Sequence, residues 1–285
     1  MEILRYAAFT TDPLGGNPAG VVLDATGLDE ADMLAAAAEL GYSETAFLTN
    51  RQDRTFDVRY FSPLAEVPFC GHATIGTAVA VAERLTGPGD LLFRTKAGDV
   101  PVAVVAGPDG ALSATLTSVD PRVEEVTAAD VAEALRLLDW KAEDLDPTLP
   151  PRIAYAGAQH LVLAVRSRAR LAELDYDFDR LAAFMTARDL VTLQLVQRQD
   201  ATTFHVRDPF PVGGVVEDPA TGAAAAAFGA YLRELGQVEV PAGGATRLTL
   251  HQGDDLGRPG LLQVELRDGD RRIRVSGAAV AITGA

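Results

Sequence analysis

Two stretches of the chain are apolar, nearly free of charge and rich in Ala, Gly and Val. The first opens on the polar pair Gly71-His72 and runs to Leu85; the second opens at Pro219 and runs to Leu235. A helix that is apolar on all sides is usually buried, and its first backbone N–H groups then need a partner such as a bound anion. The pattern therefore predicts two buried helices, one in each half of the chain.

Shorter apolar runs, bounded by Gly, Pro and polar turns, predict the strands. They lie at 3–9, 21–23, 43–49, 55–61, 91–95, 100–105 and 111–117, and at 153–156, 161–165, 190–196, 203–206, 246–250, 261–266 and 273–282. Further helices are predicted after the N-cap residues Asp29 and Thr127, and at 168–173 and 178–188. Asp32 completes a capping box with Asp29, and Gly41 ends that helix. The segment 12–20 is predicted to be a loop.

The two halves also echo each other in sequence. Phe56-Asp-Val-Arg59 recurs as Phe204-His-Val-Arg207, an offset of 204 − 56 = 148, and the helix starts at His72 and Gly222 are offset by 222 − 72 = 150. This favours a duplicated α+β unit, with a sheet curled around each central helix, over two unrelated α+β segments. The first half closes near residue 118, which predicts domains over 1–118 and 119–276.

Composition excludes several classes of function. The 285 residues include 40 acidic and 25 basic side chains, a net charge of −15, so the chain lacks the basic footprint that nucleic-acid binding requires. The single cysteine, Cys70, excludes an intrachain disulfide and a cysteine-based zinc site. No apolar run has the length of a membrane span, and the N-terminus lacks a signal-peptide layout. We therefore expect a cytoplasmic protein that does not associate with membranes.

Glu44 is the first candidate for chemistry. It lies between Tyr42 and Phe47, where an apolar strand is predicted to begin. Apolar neighbours remove water from a carboxyl group and raise its pKa, which suits the group to give and take a proton near neutral pH. The alternative is a solvated acid at the start of a strand, and this segment alone does not decide between the two.

The two helix starts supply further candidates. His72 could contact a ligand carboxylate or relay a proton, or it could be a capping or core histidine. The backbone N–H groups of Gly71–Ala73 form an anion cradle if the helix begins there. Asp218 followed by Pro219 has the form of an N-cap and first helical residue, or Asp218 faces a ligand. Gly222 favours the second interpretation, since Gly early in a helix costs stability unless something approaches closely.

The remaining candidates have strong structural alternatives. Asn17 could hydrogen-bond a ligand from a tight loop or act as a turn residue. Cys70, beside a helix start, could be a thiol base with a lowered pKa or a small buried apolar residue. His160, His205 and His251 are isolated in the sequence, and no nucleotide-binding or nucleophile-elbow motif is present. We therefore expect neither a metal ion nor a cofactor.

Taken together, these segments resemble the PhzF family of phenazine-biosynthesis-like proteins, which has the diaminopimelate epimerase fold. The matching segments span most of the chain in the family's order. They are Phe9-Thr10 followed by Gly15-Gly-Asn17-Pro-Ala-Gly-Val-Val22, Ser43-Glu-Thr-Ala-Phe47, Phe61-Ser-Pro followed by Glu66 and Cys70-Gly-His-Ala-Thr74, and Glu217-Asp-Pro-Ala-Thr-Gly222. The resemblance implies two pseudo-symmetric domains, each a curled, mostly antiparallel sheet around a central helix, with the active site between them. It also implies a cofactor-free isomerase, often a homodimer, whose last strand at 277–285 completes the first domain.

The resemblance also implies roles for individual residues. In the phenazine enzyme the residue matching Glu44 shuttles a proton between ring carbons of a dihydro-hydroxyanthranilate, assisted by those matching His72 and Asp218. A serine that follows the matching Gly222 is replaced here by Ala223, so the phenazine substrate itself does not follow. Epimerases of this fold use two thiols, whereas this chain has one cysteine and is expected to hold Asp218 at the corresponding place of the second half.

The leading hypothesis is an isomerase that moves a proton on a small carboxylate-bearing substrate. Backbone N–H groups at Gly71–Ala73 and Gly222–Ala223 hold the substrate carboxylate, and Glu44 is the general acid and base. One alternative is an amino-acid epimerase-like or dehydratase-like enzyme that uses Cys70 and Asp218. The other is a non-catalytic ligand-binding or scaffold protein on the same fold, which the missing serine keeps open.

Overall fold

The described chain forms two compact units. The computed structural model describes residues 1–283; its first unit comprises Met1–Thr117 and the chain from Ser276 onward, and its second comprises Ser118–Val275. Residues 284 and 285, which end the predicted returning strand 277–285, lie outside the described residues. None of the described helices is long and apolar enough to cross a membrane.

The first unit is a mixed, mostly antiparallel sheet with a helix inside it and a helix outside it. Its strands are β1 (Leu4–Ala8), β2 (Asn17–Val22), β3 (Thr45–Gln52), β4 (Thr55–Phe61), β5 (Glu66–Val67), β6 (Gly89–Thr95), β7 (Gly98–Ala106) and β8 (Leu112–Thr117). Its helices are α1 (Glu30–Leu40) and α2 (Gly71–Val81), the latter extended by a π-helical turn at Ala82–Thr86.

The pairing of these strands surrounds α2. Antiparallel hairpins β1–β2, β3–β4 and β6–β7–β8 are joined by the parallel pairs β2–β3 and β4–β6. The last strand of the chain, β17 (Asp270–Ala281), pairs with both β1 and β8. α2 packs against β1, β2, β3, β7 and β8, and every residue from His72 to Val81 is buried. Burial on all sides explains why a segment with two glycines and no charge is helical here.

The second unit repeats this order of elements. Its strands are β9 (Arg122–Glu125), β10 (Arg152–Tyr155), β11 (Gln159–Val165), β12 (Thr192–Arg198), β13 (Thr203–Pro209), β14 (Glu217–Asp218), β15 (Ala245–Gln252), β16 (Gly260–Arg267) and the first part of β17. Its helices are α3 (Ala128–Leu137), α4 (Arg168–Ala172), α5 (Phe178–Thr186) and α6 (Gly222–Glu234). Hairpins β10–β11, β12–β13 and β15–β16 are joined by the parallel pairs β11–β12 and β13–β15.

The same topology in both units confirms the predicted duplication and fold class. In each, a hairpin, a parallel step, a second hairpin, a two-residue strand and a buried helix follow in order. α6 packs against β9, β10, β11, β12 and β16, as α2 packs within its own sheet. The helices begin at Gly71 and Gly222, so the offset between them is 222 − 71 = 151 rather than the predicted 150.

Helices outside the sheets cover separate apolar clusters. α1 buries Met33, Ala36 and Ala37 against Phe47 and Phe61. It begins with the predicted capping box of Asp29 and Asp32 and ends at Gly41, whose φ is +72°. In the second unit, helices α3, α4 and α5 bury a larger cluster that contains the single tryptophan, Trp140, which is 4% exposed. For α1, the capping box and Gly41 were sufficient to predict both ends of the helix from the sequence.

An arginine–glutamate pair holds the two-residue strand before each buried helix. In β4, Arg59 Nε and Nη2 donate to Glu66 Oε1 and Oε2 in β5 at 2.8 and 2.5 Å. In β13, Arg207 Nε and Nη2 donate to Glu217 Oε1 and Oε2 in β14 at 2.9 and 2.5 Å. The second pair is the more buried, with side chains 10% and 1% exposed against 28% and 6%. Two parallel hydrogen bonds fix orientation as well as distance, so each pair sets where the following helix begins.

The structure differs from the predicted elements where strand pairing overrides the local preference of Gly, Pro and Asp for loops and helix starts. Asn17 was expected in a loop but is the first residue of β2, paired with Ala8. Pro18 is tolerated there because β2 gains its second neighbour, β3, only from Gly20 onward. The predicted helix start at Pro219 is wrong, since α6 begins at Gly222.

Close packing of α6 predicts a large effect of adding one methyl group. A Cβ at Gly229 would lie 2.7 Å from Val264 Cγ1 and 3.1 Å from Ile273 Cγ2. We expect Gly229→Ala to lower the free energy of unfolding by about 1–2 kcal/mol, because overpacking costs about 1–3 kcal/mol and the helix preference of Ala returns about 1 kcal/mol at most. Gly76→Ala in α2 is the matched control, since its nearest contact would be Tyr6 Cβ at 3.3 Å. Urea unfolding followed by circular dichroism measures both; equal losses would contradict the packing argument.

The different burial of the two arginine–glutamate pairs predicts unequal costs of neutralising the glutamates. Glu217→Gln removes the nearer countercharge of Arg207, whose side chain is 10% exposed and whose other ion-pair partner, Asp255, is 3.9 Å away. We expect a loss toward the lower end of the roughly 3–5 kcal/mol typical of a broken buried pair, because Gln keeps one acceptor. Glu66→Gln, whose partner Arg59 is 28% exposed, should cost about 1 kcal/mol or less. Trp140 fluorescence reports the second unit, and a Glu217→Gln variant as stable as the parent would contradict this prediction.

Candidate active site

The start of α2 is shaped by hydrogen bonds to its N-cap residue. Cys70 is the N-cap, in an extended conformation, and its side chain does not cap the helix. Thr74 Oγ1 instead donates to the Cys70 carbonyl oxygen at 2.6 Å and lies 2.6 Å from the buried Tyr60 hydroxyl. The Cys70 thiol instead lies close to the ring of His72.

The imidazole of His72 is held from two sides. It occupies the second position of α2 and is 5% exposed. Asn17 Nδ2 lies 3.1 Å from His72 Nδ1, and Ser43 Oγ lies 3.3 Å from His72 Nε2. Because an amide nitrogen is a donor, Nδ1 acts as the acceptor, and the neutral ring then carries its hydrogen on Nε2. Nε2 therefore presents a hydrogen toward Ser43 and the carboxyl group beside it.

That carboxyl group belongs to Glu44, which directly precedes β3. Glu44 Oε2 lies 3.4 Å from His72 Nε2, and its side chain is 14% exposed. Burial raises the pKa of Glu44 above its usual range, and hydrogen bonds from Ser43 and Cys70 oppose the rise. The backbone also fixes this position, since the Gly20 N–H donates to the Glu44 carbonyl oxygen at 3.1 Å. Of the predicted site residues, Glu44, His72 and Asn17 therefore form one cluster.

Cys70 completes the cluster in the first unit. Its Sγ lies 3.4 Å from His72 Nδ1 and 3.9 Å from Nε2. One ligand atom from each of Glu44, Cys70 and His72 lies within 4.8 Å of the others. Within the described chain, these three side chains are therefore close enough to share a metal ion. The same spacing suits exchange of a proton among a carboxyl, a thiol and an imidazole.

In the second unit, Asp218 is not the N-cap that its sequence suggested. It lies in β14 opposite Asp208 of β13, and Thr221 is the N-cap of α6. Thr221 Oγ1 donates to Asp218 Oδ2 at 2.6 Å. The pairing of β14 with β13 keeps Asp218 and Pro219 out of the helix, which overrides the local preference of Asp-Pro for a helix start. Gly222 is buried and Ala223 is half-buried at the first two positions of α6.

The structural offset of 151 corrects one residue equivalence between the halves. It aligns Cys70 with Thr221, because both are N-caps, and His72 with Ala223. Asp218 aligns with Val67, so the expectation that it replaces a second thiol is wrong. A hydroxyl group stands where a thiol stands in the first unit. The conclusion that two-thiol chemistry is unsuited to this chain is unchanged.

Several polar contributors were missed from the sequence. Ser43 contacts His72, and Gln252 donates to the Asp218 carbonyl oxygen at 2.8 Å and accepts from the Thr221 N–H at 2.9 Å. His205 and His251, taken as isolated, are opposite each other on β13 and β15 with ring centroids 5.1 Å apart. Only the register of a parallel strand pair brings those rings together, so sequence spacing gave no signal. Alignment of the two repeats would have identified Thr221.

Comparisons with known proteins agree with this architecture. The model of the PhzC-PhzF family, described as phenazine biosynthesis-like protein, matches residues 6–285. The uncharacterized isomerase YddE of Escherichia coli O157:H7 is 34% identical over 292 residues, covering 99% of this chain and 96% of that protein. The trans-2,3-dihydro-3-hydroxyanthranilate isomerase of Pseudomonas chlororaphis is 32% identical over 279 residues, covering 96% and 94%.

Solved structures show the same fold. A PhzF-family phenazine biosynthesis protein of Bacillus anthracis superposes with a TM-score of 0.89 at 26% identity, covering 99% of this chain and 98% of that one. A hydroxyproline epimerase of Agrobacterium vitis shares only the fold, with a TM-score of 0.65 at 12% identity, covering 98% and 88%. Because the family match runs over nearly the whole chain and relatives above 30% identity are matched end to end, this protein belongs to the PhzC-PhzF family of phenazine biosynthesis-like proteins.

Proposed function

We propose that this protein is a cofactor-independent isomerase that moves a proton on a small carboxylate-bearing substrate, with Glu44 as general acid and base. One observation carries the proposal. A mostly buried carboxyl group lies 3.4 Å from the Nε2 of an imidazole whose other nitrogen is held by Asn17. Relatives that match the chain over almost its whole length are named isomerases, which supports this class of reaction.

The surroundings of Glu44 suit both halves of a proton shuttle. A general base must lose its proton to take one from carbon, and the same group must then return that proton to a second carbon. Burial raises the pKa of Glu44, while Ser43 and Cys70 limit the rise by hydrogen bonding to the carboxylate. A pKa moved toward neutrality makes the protonated and ionised forms accessible in turn, without a cofactor.

His72 acts as an orienting partner for this carboxyl group. Its ring is fixed between Asn17 on one side and Ser43 and Glu44 on the other, so its Nε2 hydrogen points to the carboxyl oxygen. That hydrogen stabilises the ionised form while the substrate proton is still on carbon.

We assign substrate binding to the helix starts. Backbone N–H groups of Gly71 and Ala73 attract a substrate carboxylate at the positive end of α2, an interaction of about 0.3–1 kcal/mol that grows when partly buried. Asp218, Gly222 and Ala223 are assigned to the same substrate from the family pattern. The net charge of −15 opposes an anion, but screening over roughly 8–10 Å limits that cost. A homodimer is a further expectation carried by the resemblance, and a cytoplasmic location is one carried by the sequence composition.

The substrate class follows from a named relative. One member of the family acts, by its name, on trans-2,3-dihydro-3-hydroxyanthranilate, a cyclic carboxylic acid with a removable carbon-bound proton. Ala223 offers a methyl group where the family pattern has a serine, so a substrate that lacks the group contacted by that hydroxyl is favoured. We therefore place the substrate among small carboxylic acids with an acidified C–H bond.

The shuttle predicts loss of hydrogen exchange on removal of the Glu44 charge. In heavy water, the parent protein should exchange carbon-bound hydrogen of a substrate found in a panel of small carboxylic acids, measured by proton NMR. Glu44→Gln should fold normally and lower the exchange rate by about 100-fold or more, the usual contribution of a general base. Glu39→Gln, which neutralises an exposed glutamate on α1, is the matched control and should keep full exchange.

Two other outcomes would reject the glutamate mechanism. Full exchange in Glu44→Gln, together with complete loss in Cys70→Ala, would instead favour thiol chemistry, which the 3.4 Å contact of Cys70 with His72 makes possible. Thermal stabilisation by a panel member without any exchange in the parent protein would favour a ligand-binding role. Chelator and added zinc serve as separate arms, because Glu44, Cys70 and His72 are close enough to share an ion.

The environment of Glu44 also predicts the position and direction of a pH effect. Since the base must be ionised, kcat/KM should fall as pH decreases through the raised pKa of Glu44, at a higher pH than the value of about 4.3 of an ordinary glutamate. Ser43 lowers that pKa by hydrogen bonding. Ser43→Ala should therefore move this acidic limb of the pH profile to higher pH. A shift in the opposite direction would contradict the assignment of the limb to Glu44.

A further inference from the structure

A second buried carboxyl group lies in the second unit and takes no part in the proposed proton shuttle. Asp208 in β13 is 0% exposed. Thr192 Oγ1 donates to Asp208 Oδ1 at 2.8 Å, and His160 Nδ1 lies 2.8 Å from the same hydroxyl. The amide of Gln194, turned so that its nitrogen faces Asp208, lies 2.8 Å from Oδ1 and 3.1 Å from Oδ2. Both donors therefore favour Oδ1.

Asp208 is directly opposite Asp218, the predicted site residue of this half. The two residues are register partners of the antiparallel pair β13–β14, so their side chains lie on the same face of the sheet at short range. Asp218 is 7% exposed. In the first unit the corresponding partners are Tyr60 and Val67, so this carboxyl pair is not a product of the duplication.

The charged groups around Asp208 do not neutralise it. Glu217 of β14 adds a second negative charge near Asp208, and Arg207 of β13 is bound to Glu217. His160 of β11 is fully buried, and burial lowers its pKa to about 3, so the ring is neutral at ordinary pH. In the described part of the chain, no arginine, lysine or histidine donates directly to Asp208.

Two adjacent buried carboxyl groups cannot both be ionised without a large electrostatic cost. The proton belongs on the more deeply buried group, and burial does raise the pKa of Asp208 well above its usual range, with Asp218 and Glu217 adding to the rise. Oδ1 already accepts from Thr192, which leaves Oδ2 to carry the hydrogen. Asp218 is the less buried of the two, and its Oδ2 accepts from Thr221 Oγ1 at the start of α6.

We propose that Asp208 and Asp218 form a coupled carboxyl pair that holds one proton at neutral pH, with the proton on Asp208 Oδ2. Asp208 is then a positioning residue, because its neutrality keeps Asp218 ionised beside the α6 start. The proposal rests on the proposed function only for the part that Asp218 plays toward substrate. The protonation of the pair itself is independent of any activity.

The test is carbon-13 NMR of protein labelled at the aspartate side-chain carboxyl carbons, which needs no substrate. At neutral pH, one resonance should lie at the carboxylic-acid position and should be absent from Asp208→Asn. Asp175→Asn, which removes an exposed aspartate of the same unit, should leave that resonance unchanged. If all aspartate resonances lie at the carboxylate position, or if the acid resonance persists in Asp208→Asn, the proposal is wrong.

Coupling is tested by moving the titration midpoint of that resonance in opposite directions. Asp218→Asn removes a neighbouring negative charge that favours the protonated form, so the midpoint should fall. Thr192→Val removes a donor that favours the ionised form, so the midpoint should rise. These two variants also identify the resonance if Asp208→Asn does not fold. A midpoint that moves in neither variant overturns the coupled pair.

Activity provides a separate readout once a substrate is known. Asn is neutral, as the protonated Asp208 is, so Asp208→Asn should keep kcat within about threefold of the parent, whereas Asp218→Asn should lower it. If no carboxylic-acid resonance of Asp208 is found but Glu44→Gln still lowers hydrogen exchange, only the carboxyl pair is rejected. An acid resonance with the expected shifts, in a protein whose hydrogen exchange is insensitive to Glu44→Gln, rejects only the proposed function.

Discussion

Burial of a helix N-terminus is the constraint on which both halves of this protein depend. Neither α2 nor α6 has an acidic residue in its first turn or an N-cap side chain that caps the helix, so neighbouring strands must determine where each begins. A two-residue strand, fixed by a bidentate arginine–glutamate pair, precedes each helix. Because Arg59 and Arg207 occupy matching places in the repeat, the same device sets both helix starts. The residues next to those starts, including His72 and Asp218, inherit fixed positions from it.

The same burial explains the unusual proton affinity of two carboxyl groups. Burial raises the pKa of Glu44 and that of Asp208, but their partners differ. Glu44 faces an imidazole whose Nε2 is 3.4 Å away, and its side chain is 14% exposed. Its carboxyl group can therefore take up and release a proton. Asp208 faces a hydroxyl, an amide and another carboxyl group, with no exposure. One environment suits a group that changes protonation during a reaction, and the other suits a group that does not.

Local signals in the sequence predicted some elements, and pairing between distant segments decided the others. Asp29, Asp32 and Gly41 determine the ends of α1 through contacts within that helix, so the sequence sufficed. Asp218-Pro219 carries an equally clear local signal for a helix start, yet pairing of β14 with β13 overrides it. The cluster of Glu44 and His72 joins a strand start to a helix start and could be expected only through the family pattern. The contact of Asp208 with Asp218 depends on register, which no short motif encodes.

The path of β17 has a consequence for how the protein is made. This strand belongs to the second unit up to Val275 and to the first unit from Ser276, where Ala279 pairs with Ala8 of β1. A ribosome releases the N-terminal strands long before it synthesises their final neighbour, so the sheet around α2 stays open along one edge during most of translation. Nascent chains therefore expose an unpaired β1 edge, a surface that is open to pairing with other chains. Vectorial synthesis thus makes the unit that starts first the one that is completed last.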